Sequence, residues 1–559
     1  MGTRGLEIVR FCGRYYIHYH QYDAYFEGLG ARIVAKIPAD GDGYQKKYAA
    51  KERALEENVY EIRDGIEPDH SQYDDLAALP SELPRLGHCD AEYIYIINLD
   101  NEILTMNNGI HWKLGNIPRN DLWLRAIADS IYPYKPTISL DVCPEEHIAS
   151  PALELPTPDS MMGYNFLTVV PKTAMGKAPI AFLTHVLART LIEYKDDIIR
   201  LGREWSPASF PFRELTFALV SIASGQADFF SFPAQPCNPR SCCWAGCNSD
   251  HLQMSSGWLD EDWAGDRAPL LEFGSMSHRP GEPPGASPLE TMYWHEDVLI
   301  SLSLMIDGKA ITDAVTYGVE QGRANFQIVV LSLFKVAFAE VSFGDDGEPF
   351  VEVSKAIPLS PLRAAYCVST HPRERPELKD NMEVQRQHGE LIMQSNCTGT
   401  ARRLQKHFPG LAALVNFFDV AAHRRATSKT AGILPLELHD RILDFVDYDT
   451  WKNYSVISRE VHHCCLCKYR LDDHTRVVAG PFVRLQGHHK QRLLSFDFEN
   501  MQTGNIVPMI EVPRCFRTER CNWMPIVGND RKTLMLDVFV QYEPAGDVPA
   551  EDDSNDDAK

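Results

Sequence analysis

The chain has 559 residues, more than one ordinary hydrophobic core accommodates, so two to four domains are expected. A hydrophobic content of 44% with 24% charged residues is that of a soluble globular protein. The formal charge of -22 excludes electrostatic steering of the whole chain towards nucleic acid or an anionic membrane.

At the N-terminus, Met1-Gly2-Thr3-Arg4-Gly5 runs straight into alternating sequence without an apolar h-region, so no signal peptide is expected. A myristoylation signal wants Ser or Thr where this chain has Leu6. "LEIVRFCGRYYIHYH" (6–20) alternates on either side of Cys12-Gly13, a β-hairpin signal with glycine in the turn. "DAYFEGLGARIVAKIP" predicts a helix that stops at Pro38, and residues 64–90 read as a polar surface loop. "EYIYIINLDNEILTM" reads as a second hairpin turning at Asp100-Asn101. Residues 1–135 are therefore expected to form an α+β domain. An enzyme can be imagined there: Thr3 near the chain end resembles the nucleophile of N-terminal-nucleophile hydrolases. Removing Met1 would expose Gly2, however, which carries no nucleophile. Asp23, Glu27, Asp100 and Glu102 read as turn carboxylates rather than an acid/base pair.

Residues 136–427 are expected to be helix-rich. Leu183, Leu187, Leu191, Tyr194, Ile198 and Leu201 recur at helical spacing. "ETMYWHEDVLISLSLMI" and "QIVVLSLFKVAFAEV" are so apolar that period alone does not separate helix from buried strand. The apolar stretch 326–343 is broken by Gln327, Lys335 and Glu340 and reads as core, not as a membrane span. "MSHRPGEPPGASP" (276–288) is a Pro/Gly-rich loop, "HPRERPELKD" (371–380) a second break, and a helix is expected at about 409–422.

The chain has 14 dispersed cysteines, which without a secretory signal implies free thiols and a cytoplasmic or nuclear location. "CNPRSCCWAGCNSDH" gathers Cys237, Cys242, Cys243, Cys247 and His251, the ligand types that tetrahedral zinc takes. The spacing lacks a C-x2-C knuckle, so a thiol-rich loop without metal is the competing reading. "HHCCLC" (462–467) reads as packing on a helix. No phosphate loop, G-x-S-x-G elbow or H-E-x-x-H is present.

Residues 428–468 hold three short helical patterns. In the first, Leu434, Leu438, Ile442 and Phe445 share one arc, and Leu436, Leu443 and Val446 the next, together roughly 200° of apolar surface. A helix like this is covered from two directions. Asp449 or Thr450 is positioned to cap the second helix, whose stripe is Trp451, Tyr454, Ile457 and Val461. Phe445 is expected to face the second helix.

This stretch resembles an F-box. The family's Leu-Pro-x-Glu-Leu stands here as Leu434-Pro435-x-Glu437-Leu438, its Ile-Leu-x-Phe-Leu as Ile442-Leu443-x-Phe445-Val446, and its Ser-Arg turn as Ile457-Ser458-Arg459. Val461 replaces the aromatic or basic residue often found after that turn, and the module begins past residue 430, where the family usually has it near the N-terminus. The resemblance implies a substrate receptor or adaptor subunit that docks, without bond chemistry of its own, on the Skp-family adaptor of a cullin-based ubiquitin ligase. Leu434, Pro435, Leu438, Ile442, Leu443, Trp451 and Ile457 would be the adaptor-binding residues. The opening Met1-Gly2-Thr3-Arg4-Gly5, with Gly13-Arg14-Tyr15-Tyr16 and Asp23-x-Tyr25-x-x-Gly28-Leu29-Gly30, resembles a family of uncharacterised fungal proteins, which implies a shared domain but no activity. An enzyme seated in the N-terminal domain and a scaffold without a ubiquitin link are the alternatives.

Beyond the module, 469–543 is expected to be β-rich, with strands in "TRVVAGPFVRL", "LLSFDFEN" and "TLMLDVFVQY", and 544–559 a disordered acidic tail. The expected architecture is thus α+β and multidomain.

Overall fold

The computed structural model describes residues 2–38, 91–149, 157–193, 206–233, 287–359, 408–427, 434–486 and 491–510, apart from 12, 108, 130–135, 160, 230 and 345–346, together with short strands at 271–272, 525–529, 532–535 and 540–542. The expected loops at 64–90 and 371–380, most of 276–288 and the acidic tail lie outside these residues.

The chain begins with a five-stranded sheet. β1 (Gly5–Phe11) and β2 (Arg14–His20) form the expected hairpin, with Phe11 paired to Arg14 and Gly13 at φ +73 in the turn. A single π-helical turn, Phe26–Gly30, leads into α1 (Ala31–Lys36). β3 (Tyr93–Asn98), β4 (Ile103–Met106) and β5 (Ile110–Lys113) complete the order β2-β1-β3-β4-β5, with β1 and β3 parallel and the other neighbours antiparallel. Asp100 ties the two hairpin turns together, accepting from Gly13 N–H at 2.9 Å and pairing with Arg10 at 2.8 Å. The sheet is buried on both faces. Leu6, Ile8, Ile94 and Ile96 join the central core, while Val9, Tyr95, Ile97 and Leu104 pack with Trp112, Trp123 and α1 in a second core. Two-sided burial is why "YIYII" reads as a continuous apolar run. A short helix α2 (Leu122–Arg125) and the ribbon β6 (Ile127–Asp129) with β7 (Pro136–Ile138) close this part.

Among the described residues the middle of the chain combines long helices with a large sheet. Its elements are β8 (Asn165–Val169), α3 (Ala178–Glu193), α4 (Phe210–Ala223), β9 (Asp228–Phe229), β10 (Ser231–Pro233), β11 (Leu271–Glu272), β12 (Met292–His295), β13 (Val298–Leu302), α5 (Gly308–Glu320), β14 (Phe326–Leu331), β15 (Lys335–Phe343), β16 (Pro349–Ser354), β17 (Ile357–Pro358) and α6 (Pro409–Thr427). Seven of these strands form one sheet, β12-β13-β14-β15-β16-β8 with β17 on β15. The two apolar runs that period left undecided are therefore strands. One face of them packs on α5 through Leu299, Ile328, Val330, Ile311 and Val315, and the other enters the central core through Ile300, Val329, Leu331 and Phe338. With both faces covered, a strand needs no polar alternation. α6 runs on to Thr427, five residues past the expected end at 422, which shortens the link to the module.

α4 is buried along its whole length, including Arg213 and Glu214. Arg213 donates to the Pro288 carbonyl at 2.6 Å and to the Ala208 carbonyl at 3.1 Å, and Glu214 accepts from Ser287 N–H at 2.8 Å. A buried ion survives only with such partners.

The C-terminal part adds α7 (Leu436–Ile442), α8 (Tyr448–Tyr454), α9 (Arg459–Cys467) and the antiparallel sheet β18 (Thr475–Gln486), β19 (Gln491–Asn500) and β20 (Ile506–Ile510). It is knitted into the rest. Phe496 and Phe498 of β19 pack edge-on against Phe182 of α3, with ring centroids 5.6 and 5.7 Å away. β21 (Pro525–Asn529), β22 (Lys532–Met535) and β23 (Val540–Tyr542) pair with β9, β11 and β10 respectively, some 300 residues earlier in the chain for β21 and β23. No helix of the described residues is long and apolar enough to cross a membrane.

Candidate functional site

The three short helices α7, α8 and α9 begin where their sequences supply caps. Pro435 stands at the N-cap of α7, with an extended backbone that a proline readily adopts. α8 is capped by Asp447, which accepts from Thr450 N–H at 2.7 Å; the expected cap at Asp449 or Thr450 falls two or three residues late. Ser458 caps α9 by accepting from Val461 N–H at 3.3 Å. The ends are also held. The buried Arg470 guanidinium donates to the Val446 carbonyl at 2.6 Å and to the Leu443 carbonyl, taking up acceptors that the end of α7 leaves unpaired. His439 Nδ1 meets the Tyr454 hydroxyl at 2.7 Å, joining α7 to α8.

The two apolar arcs of α7 have different fates. Leu443 is 1% exposed and sits in the central core with Tyr448, Trp451, Val461, Cys465 and Tyr469. Val446 packs against the same core. On the other side Leu434 is 46%, Leu438 48% and Phe445 85% exposed, with Pro435 exposed beside them and Ile442 half-buried between. Leu436, which shares an arc with Leu443 and Val446, is 44% exposed as well, because the helix begins at that residue and its first turn projects beyond the core.

Three expectations about individual residues change. Phe445 does not face the second helix: α7 ends at Ile442, and the turn that follows swings the ring outward. Leu443 and Trp451, named as adaptor contacts, are turned into the chain's own core. Trp451 stacks on Tyr448 at 5.8 Å and meets Tyr469 edge-on at 5.6 Å. Ile457 is half-buried in the turn before α9.

Among the described residues the module meets α6 through a polar contact at His462. His462 Nε2 lies 3.1 Å from the Asp419 carboxylate, and Nδ1 lies 3.2 Å from the Ser455 carbonyl. Burial pushes the Asp419 carboxyl up, but the His462 hydrogen bond and the Lys177 charge outweigh it, so its pKa is held below the ordinary value. Nearby, His295 Nε2 and the Ser224 hydroxyl are 2.9 Å apart. Burial drives the pKa of His295 down to about 4, helped by Arg425 and opposed by Glu296.

The zinc candidates Cys237, Cys242, Cys243, Cys247 and His251 lie outside the described residues. Among the described residues no three His, Cys, Asp or Glu side chains are grouped to hold a metal ion. In the second cysteine-rich stretch, burial pushes the Cys465 thiol up to about 12, which fits a packing role. Thr3, the nucleophile candidate, has its carbonyl engaged by Ala24 N–H at 3.2 Å, and Asp23 and Glu102 occupy positive-φ turns.

No family model, no curated protein and no solved structure matches the chain.

Proposed function

We propose that the protein is an F-box-type receptor or adaptor subunit that docks on a Skp-family adaptor of a cullin-based ubiquitin ligase through α7. The observation that carries the reading is the split of α7 into a face sealed by the chain's own core and a face left open. Leu434, Pro435 and Leu438, three positions where the resemblance expects partner contact, form an exposed apolar surface together with Phe445. Surfaces of this kind mark interaction sites when several large apolar side chains lie together. Leu443 and Trp451 serve the docking indirectly, by fixing α7 to the body so that the open face is held rigid.

In this reading the chain performs no bond chemistry. It brings a target, bound elsewhere on its surface, to the ligase. The test is capture of a purified Skp-family adaptor by the full-length chain, compared with a Leu434→Ala, Leu438→Ala double variant. Capture by wild type and loss of capture by a folded double variant support docking through α7. Absence of capture by wild type leaves the three helices as a structural part of the fold.

A further inference from the structure

The helix α9 divides the stretch "HHCCLC" (462–467) between two sides. Val461, His462 and Cys465 are buried, His462 against Asp419 and Cys465 in the central core. His463, Cys464 and Cys467 fall on the opposite side, within an arc of about 100°. There His463 and Cys467 are exposed and Cys464 is half-buried. His463 and Cys467 are four residues apart, about one turn, and Cys467 Sγ lies 3.9 Å from His463 Nε2. Cys464 and Cys467 are three apart. Helical geometry sets their Cα atoms about 5 Å from each other, inside the range that a disulfide spans. Burial, the Asp440 carboxylate and the neighbouring Cys467 push the Cys464 thiol up, and Lys468 opposes them. An accessible thiol beside a base thus has a second thiol one turn away.

We propose that Cys464 and Cys467 are a reactive dithiol, which a small-molecule disulfide oxidises reversibly to a disulfide within α9. Cys467 gives its proton to His463 Nε2, and the thiolate attacks one sulfur of the small disulfide. That S–S bond breaks, one thiolate leaves, and a mixed disulfide forms on Cys467. Cys464 loses its proton to solvent and attacks the Cys467 sulfur. The second thiolate leaves as the Cys464–Cys467 bond closes. The two cysteines give up two electrons and two protons, and the small disulfide takes them up as two thiols. Access sets the order, for Cys467 is exposed, whereas burial and Asp440 hold Cys464 protonated. Helical Cβ atoms three residues apart stand about 5–6 Å from each other, and a disulfide needs roughly 3.5–4.5 Å, so closure has to tighten the turn. The position permits it. α9 ends at Cys467, with Lys468 N–H donating to the Cys464 carbonyl at 3.0 Å. A last turn can tighten to the 3₁₀ form, in which residues three apart eclipse. A bond closed against that strain is easily reduced again. None of the exposed apolar side chains of α7 takes part, so the site does not depend on adaptor docking.

Mass spectrometry of the full-length chain, treated with glutathione disulfide and then denatured and alkylated, tests it. Trypsin cuts after Arg459 and Lys468, so residues 460–468 form one peptide with three cysteines. That peptide is expected to lose two hydrogens and to carry one alkyl group, on Cys465, and dithiothreitol should restore three alkylated thiols. Cys464→Ser should stop at a glutathione adduct on Cys467. Cys467→Ser should form an adduct at Cys464 about tenfold or more slowly. Cys465→Ala should still close the disulfide. His463→Gln should slow the first adduct by about tenfold or more at pH 7, and the gap should close near pH 10, where the thiol ionises unaided. Three free thiols in the treated wild-type peptide, a bond that includes Cys465, or a wild-type adduct on Cys467 that never closes would each overturn the dithiol. A His463 variant that reacts as wild type does at pH 7 would overturn the role of His463 as base.

Discussion

His462 bridges two acceptors, the Asp419 carboxylate at 3.1 Å and the Ser455 carbonyl at 3.2 Å, and in doing so fastens α9 to α6. The contact is mostly buried, with His462 9% and Asp419 17% exposed at the side chain. Asp419→Ala should lower stability by about 1–3 kcal/mol, since it leaves a buried ring nitrogen without its acceptor. Urea unfolding of the two single variants and the double variant with His462→Ala gives the coupling. Additive losses would show that the pair does not fasten the helices.

The exposed arc of α7 separates docking from folding. Leu434→Ala, Pro435→Ala and Leu438→Ala should each weaken adaptor capture by about 1–2 kcal/mol if they are interface anchors. Phe445→Ala belongs with them: at 85% exposure the ring contributes little to the fold, and its loss should change stability by less than about 0.5 kcal/mol. Circular dichroism unchanged and capture reduced is the expected pair of results. Unfolding of the Phe445 variant would place the ring inside the module after all.

The inner arc behaves in the opposite way. Leu443→Ala should cost about 2–5 kcal/mol and Trp451→Ala about 3–5 kcal/mol, because both are buried in the core shared with α3 and α4. Any loss of adaptor capture should follow the loss of folded protein. A thermal melt together with capture at a temperature where the variants remain folded distinguishes this from direct contact.

Stability should fall on acidification below pH 6.5. His295 has its pKa depressed to about 4 from an ordinary value of 6.5, so the unfolded chain binds the proton first. Its contribution is fully present above pH 6.5 and is lost as pH falls towards 4. Asp419, also depressed, adds a loss at lower pH, beginning near its ordinary value of 3.8. His295→Gln removes the titrating ring, so its unfolding midpoint should vary less than that of wild type between pH 6.5 and 4. An unchanged slope would show that His295 does not govern this window.

At Gly318 α5 packs directly on the Phe326 ring of β14. A Cβ there would stand 2.2 Å from the Phe326 ring, so Gly318→Ala should destabilise by about 1–3 kcal/mol although alanine favours helix. Phe326→Leu in the same chain should recover part of the loss, read from the urea midpoint.

Local pattern was enough to determine the elements with strong signals of their own. The hairpin turn at Gly13, the helix stop before Pro38, the N-cap of α7 at Pro435 and the Ser458 cap all depend on backbone preferences carried by one or two residues. The amphipathic reading of 434–446 also held in part, since its two arcs proved to have two different environments. What the sequence left undecided was decided by burial on a second face. "QIVVLSLFKVAFAEV" becomes β14 and β15 because α5 covers one side and the central core the other, and neither cover lies next to it in sequence. The outward turn of Phe445 and the inward turn of Trp451 depend on where α7 ends and on Tyr448 and Tyr469 closing round the indole. The junction of Asp419 with His462 has no local signature, for the two residues lie 43 positions apart and meet only when α6 packs on α9. Local sequence sets backbone propensity, whereas which side of an element is covered is a sum over distant contacts, and only the tertiary structure carries that sum.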